Sequence, residues 1–207
     1  MAKEAKFSKE LEAKFSKFKN PWDIQQFLNG LKYSPDYGCR SPLGVAKDRI
    51  AHCSEGAFFS AAALRYLKYK PLVVILYAHN DDDHLLSVFK KNNRWGCVAK
   101  SNTTMLRYRE PVYKSIRELI MSYFDMYFNT KGVKSLRKYS RTINMEKFDK
   151  YDWMHADNLD FIWDILEDIQ KYDIIDKKMI KELKITDKEL MDACFRSSDP
   201  KGLFEPK

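Results

Sequence analysis

No apolar run in this 207-residue sequence approaches the length of a bilayer span, and none near Met1 resembles a secretion signal. Met1-Ala2-Lys3-Glu4-Ala5-Lys6 leads straight into an amphipathic pattern. No CxxC pair occurs, and the spacings of Cys39, Cys53, Cys97 and Cys194 match no zinc pattern. A chain of this size does not need disulfides. The expectation is a reduced, cytoplasmic protein with free thiols, no membrane partner, no metal and no cofactor. There is no low-complexity linker and no dense basic run. The net charge of +8 is spread along the chain, so it reads as a Lys-rich solvated surface and nucleic acid is not an expected partner.

What is present is ordinary globular composition, enough for one domain with its own core. Phe7, Leu11, Phe15 and Phe18 share one face of a helix expected over residues 4–18. Asn20-Pro21 reads as a cap and first-turn proline for a helix through Leu31. Residues 33–47 hold Pro35, Gly38, Pro42 and Gly44 and are expected to form a loop.

A helix from Cys53 to about Leu67 follows, with Cys53, Gly56, Ala57, Ser60, Ala61 and Leu64 on a small-residue stripe. Gly56 costs about 1 kcal/mol relative to Ala in a helix, so close approach of a neighbour explains it better than propensity. Leu72–Tyr77 is apolar on both faces, as in a central strand. Leu85–Phe89 and Trp95–Ala99 flank Lys91-Asn92-Asn93-Arg94 as a hairpin. Val112–Phe128 reads as a helix, as do 157–171, 175–183 and 186–197, with Asp157 and Thr186 as caps. The order gives an α+β class: N-terminal helices over 1–32, a core over 33–110 and a helical C-terminal part over 111–207.

Cys53 at a helix start and His84 at a strand start are the chemically suggestive pair. The positive end of a helix dipole favours thiolate, and a histidine on a neighbouring strand is the base a thiol nucleophile needs. The hairpin should bring residues 101–102 beside His84, so Asn102, with Ser101 as second choice, is the candidate group to orient it. Arg107 and Arg109, around Tyr108, are candidates for binding an acidic substrate group, with structural pairing to Glu110 or another carboxylate as the alternative. Glu55 reads as a first-turn acid that suits the dipole. Asp81-Asp82-Asp83 reads as a solvated turn, and His52 as secondary.

This order of residues resembles the transglutaminase-like superfamily of papain-like thiol enzymes. The string runs from His52-Cys53-Ser54-Glu55-Gly56-Ala57 through Asp81-Asp82-Asp83-His84 to Lys100-Ser101-Asn102. It is similar to small bacterial proteins of that group, over roughly residues 30–110. The resemblance implies a small antiparallel sheet packed on a central Cys-bearing helix. It also implies thiol-dependent hydrolysis or transfer at an amide, ester or thioester of a peptide, protein or other acyl-bearing substrate. The sequence departs from the family pattern in having no Asp between His84 and Asp125, and Leu85-Leu86 where a Trp commonly follows the His. The alternatives are a non-catalytic interaction module on the same fold and a basic nucleic-acid binder.

Overall fold

The computed structural model describes residues 6–35 and 38–207. Its element order confirms an α+β protein. Helix α1 (Lys9–Phe15) buries Leu11 and Phe15, while residues 4 and 5 of the expected helix lie outside the described residues. Helix α2 (Pro21–Asn29) begins as expected: the Asn20 side chain accepts from the Trp22 and Asp23 amides, and Pro21 occupies the first turn.

A two-residue strand β1 (Lys32–Tyr33) then pairs in parallel with β2 (Ile50–Ala51). Between them the expected loop contains a helix, α3 (Pro42–Asp48). Pro42 marks its start rather than a break, because Ser41 caps it and a first-turn proline has no amide to satisfy. Residues 36 and 37 of that segment lie outside the described residues. Helix α4 (Cys53–Tyr66) is buried from Ser54 to Leu64.

The main sheet begins with β3 (Leu72–Ala78), β4 (His84–Lys91) and β5 (Arg94–Val98). Asn92 and Asn93, both at positive φ, make the tight turn that joins β4 and β5. Strand β6 (Arg109–Tyr113) replaces the start of the helix expected over 112–128, leaving only α5 (Ile116–Met121) and a short 3₁₀ turn. Pro111 is tolerated because β6 is an edge strand, where a missing amide goes unnoticed.

The C-terminal part, expected to be helical, also supplies strands β7 (Leu136–Ser140), β8 (Ile143–Asn144) and β9 (Lys171–Asp173). Their shortness and polar content hide them from pattern reading. Helices α6 (Phe161–Leu166), α7 (Lys177–Glu182) and α8 (Lys188–Phe195) remain. Asp176 and Asp187 cap the last two, and Asp160, not Asp157, precedes α6. Thr186 is buried rather than capping, one residue ahead of the true cap.

The order across the sheet is β6-β5-β4-β3-β7-β9, all antiparallel, with β8 also pairing β3. One face carries Val73, Ile75, Leu85, Phe89 and Val98 into a core shared with α4 and the N-terminal helices. The other carries Val74, Leu76, Leu86, Val88 and Cys97 against Leu119, Ile120, Tyr123 and Tyr127. Period-two alternation assigns His84 to this second face, with Leu86 and Val88. Among the described residues no helix is long and apolar enough to cross a membrane.

Candidate functional site

The start of α4 is fixed by a capping box. The His52 ring accepts from the Ser54 amide, and Glu55 Oε2 accepts from the His52 amide at 2.8 Å. Glu55 is wholly buried, and its other oxygen accepts from the Arg40 amide and from Arg40 Nη1, both at 2.9 Å. This acid therefore does more than suit the helix dipole: it ties the 38–41 segment to the turn that presents Cys53. The signal was the His-x-x-Glu spacing, hidden because His rather than Ser or Thr holds the cap position.

Cys53 is half-buried on the wall of a cavity of about 450 Å³. His52, Asp82, Leu85, Trp163 and the Gly202–Phe204 segment contribute to its lining. The thiol donates to the main-chain oxygen of Asp83 at 3.7 Å. The expected depression of its pKa is not found. Burial pushes the Cys53 thiol up to about 12, the amides of Leu85, Ser54 and Cys53 pull the other way, and the Asp82 carboxylate adds to the rise. All four cysteines are free thiols.

His84 is buried and lies on the sheet face opposite α4. Its Nε2 donates to the Leu106 carbonyl at 2.8 Å, which fixes the tautomer and leaves Nδ1 with the lone pair. Burial holds the imidazole neutral, with its pKa lowered to about 4, and the Arg109 charge acts in the same direction against the bond to Leu106. No hydrogen bond joins Cys53 to His84 among the described residues. Both nonetheless line a second, narrower cavity of about 70 Å³ at the end of β4, together with Ser101, Asn102, Leu106 and Tyr127.

The hairpin register pairs Ser87 with Val98, and continuing it would set residue 84 opposite 101. Ser101 and Asn102 do reach that end of the sheet, but neither side chain engages His84. Ser101 Oγ meets Thr103 Oγ1 at 3.2 Å. Asn102 grips Asp199, donating to its carbonyl at 2.9 Å and accepting from its amide at 2.8 Å. The group that orients His84 is instead the main-chain oxygen of Leu106, a role no side-chain signal could reveal.

Arg107 and Arg109 bind main-chain oxygens and the Ser122 hydroxyl rather than the carboxylates weighed as partners. Arg107 Nε donates to the Ser101 carbonyl. Arg109 donates to Met105 O, Tyr108 O, Ser122 O and Ser122 Oγ, and its guanidinium lies 3.8 Å from the Tyr123 ring centroid. Together they brace the loop that carries Leu106.

The acidic triplet is dispersed. Asp81 accepts from Ser135 Oγ, Asp83 accepts from the Ala78 amide, and the exposed Asp82 faces both cavities. Burial raises the Asp81 carboxyl to about 6. No group of three His, Cys, Asp or Glu side chains among the described residues is arranged to hold a metal ion. In comparisons with known proteins, no family model and no curated protein matches the chain. The fold and site thus define an α+β protein with a cavity-lining thiol at a helix start.

Proposed function

We propose that this chain is a thiol-dependent acyl hydrolase or transferase of the transglutaminase-like class. Its substrate would be an amide, ester or thioester of a peptide, protein or other acyl-bearing molecule. One observation carries the reading: Cys53 opens a 14-residue helix at the wall of a cavity, with the amides of Cys53, Ser54 and Leu85 favouring the charged form of its sulfur. In the proposed reaction the thiol proton is relayed by solvent through the narrower cavity that both residues line to His84 Nδ1, and the thiolate attacks the acyl carbon. The bond to the leaving group breaks, and the imidazolium returns the proton to that group. Water or an amine then cleaves the thioester and restores the thiol. In this reading the Leu106 carbonyl takes the part that an Asp or Asn plays in orienting the base of transglutaminase-like enzymes. It is neutral, so it supports the imidazolium less than a carboxylate would.

The test is turnover of a small panel: a p-nitrophenyl ester, a peptide p-nitroanilide and an alkyl thioester. Wild-type protein should turn over at least one of them, with an acyl adduct on Cys53 visible by mass spectrometry, and Cys53→Ala should abolish both. Equal turnover by Cys53→Ala overturns the proposal.

A second reading, a non-catalytic interaction module on the same fold, is favoured by the protonated thiol and by the absence of a bond between Cys53 and His84. It is the conclusion to adopt if no member of the panel acylates Cys53.

A further inference from the structure

Within the segment from Asp199 to Lys207, Gly202, Leu203 and Phe204 line both cavities, and the hydrogen bonds from the body of the protein to the segment go mainly to its backbone. At one end Asn102 donates to Asp199 O and accepts from Asp199 N–H, at 2.9 and 2.8 Å. At the other end Asn80 does the same for Lys207, donating to its main-chain oxygen and accepting from its amide, each at 3.0 Å. Between them Thr130 Oγ1 donates to Phe204 O at 3.3 Å and Lys131 Nζ to Pro206 O at 3.0 Å. A carboxamide that engages both the N–H and the C=O of one residue imitates an adjacent β-strand. Such contacts read main chain, not side-chain identity, and between the two grips Pro200–Gly202 forms a single 3₁₀ turn.

Side-chain selection enters at one point. A Cβ on Gly202 would lie 2.7 Å from Tyr33 Cε1 and 3.1 Å from Asn102 Nδ2, so any larger residue there forces the Tyr33 ring to shift. Leu203 and Phe204 follow it, and all three residues line both cavities with Cys53.

We propose that the groove from Asn102 to Asn80 is a binding site for a polypeptide segment that makes one 3₁₀ turn ending in glycine and continues with bulky apolar residues. Residues 199–207 occupy that site in cis as a stand-in for the substrate. This rests on the proposed thiol chemistry for its purpose, since the Gly202–Phe204 stretch lies where an acyl carbon would have to approach Cys53. The groove itself is argued from the main-chain contacts alone. The tail is then a competitor, and its departure would admit water and substrate to the thiol.

The probe is a fluorescent synthetic peptide with the sequence of residues 199–207, its binding read by polarisation. Gly202→Val in the full-length protein should evict the tail while leaving the groove intact. The peptide should bind that variant about tenfold or more tightly than wild type. Adding Asn80→Ala should lower the affinity about tenfold, as loss of two hydrogen bonds implies. A peptide with valine at the glycine position should bind at least tenfold more weakly than the parent. All of this should be unchanged in a Cys53→Ala background, so a failed thiol reading leaves the binding result standing.

Hydrogen exchange on wild-type protein gives a readout that does not depend on a variant folding. The amides of Asp199 and Lys207 should be protected, and excess peptide should accelerate their exchange. The proposal is overturned if the peptide binds neither protein, if it binds without accelerating those two amides, or if Asn80→Ala leaves its affinity unchanged.

Discussion

The Cys53 thiol points at the main-chain oxygen of Asp83, 3.7 Å away, while the next residue, His84, turns its imidazole to the other face of the sheet and donates to Leu106 O. The nucleophile and its candidate base therefore flank one strand end without touching. In this arrangement the sulfur is a protonated thiol.

Alkylation of Cys53 should report that state directly. With the thiol pushed up from 9.0 to about 12, the thiolate fraction at neutral pH is about a thousandfold below that of a free cysteine. Iodoacetamide labelling of wild-type protein, followed at Cys53 by peptide mapping, should be slow at pH 7 and still climbing at pH 10. A labelling rate that levels off below pH 8 would contradict the raised thiol pKa.

Stability should fall in acid through His84. Its folded pKa of about 4 lies below the ordinary 6.5, so the unfolded chain binds the proton more readily. The contribution is fully present above about pH 6.5 and is lost as pH falls through about 4. The difference corresponds to about 3 kcal/mol. His84→Gln, which retains a donor for Leu106 O but does not titrate, should flatten the urea-unfolding free energy between pH 4 and 7. An unchanged slope would mean that other groups carry it.

Glu55→Ala should destabilise the fold by about 3 kcal/mol, because it leaves the amides of His52 and Arg40 without acceptors and takes from the Arg40 guanidinium its wholly buried carboxylate partner. Arg40 is 27% exposed and keeps its pair with Asp48, which moderates the loss on its side. Chemical denaturation measures the effect. A loss below about 0.5 kcal/mol would show that the capping box does not hold this turn.

Gly56→Ala should also destabilise, by about 1 to 2 kcal/mol, against the sign of helix propensity. The Cβ of Lys100 lies where the added methyl would go. Lys100 cannot easily retreat, since its amine is buried and donates to the Leu28 and Leu31 carbonyls at the end of α2. A thermal melt at or above the wild-type midpoint would refute the close approach.

Much of the frame was legible from local signals. Asn20-Pro21 fixes the start of α2, the apolar run fixes β3, and Asn92-Asn93 fixes the hairpin, because each acts through its own few residues. The small-residue stripe at Gly56 announced a close neighbour, though not that it would be Lys100. By contrast, Pro42 and Pro111 mislead when read only as breakers. One starts α3 and the other sits in an edge strand, and that distinction depends on where neighbouring elements lie.

What the sequence by itself determined is a thiol at the start of a buried helix and a histidine at the start of a strand two elements later. The alternation of β4 assigns His84 to the side of Leu86 and Val88, but only packing decides which side α4 covers. Likewise nothing in the sequence pairs Asn102 or Asn80 with Asp199 and Lys207, 97 and 127 residues away along the chain. The tertiary structure alone decided those pairings. A hydrogen bond to a distant backbone atom leaves no periodicity and no spacing along the chain, and the cavity around Cys53 exists only where those distant segments converge.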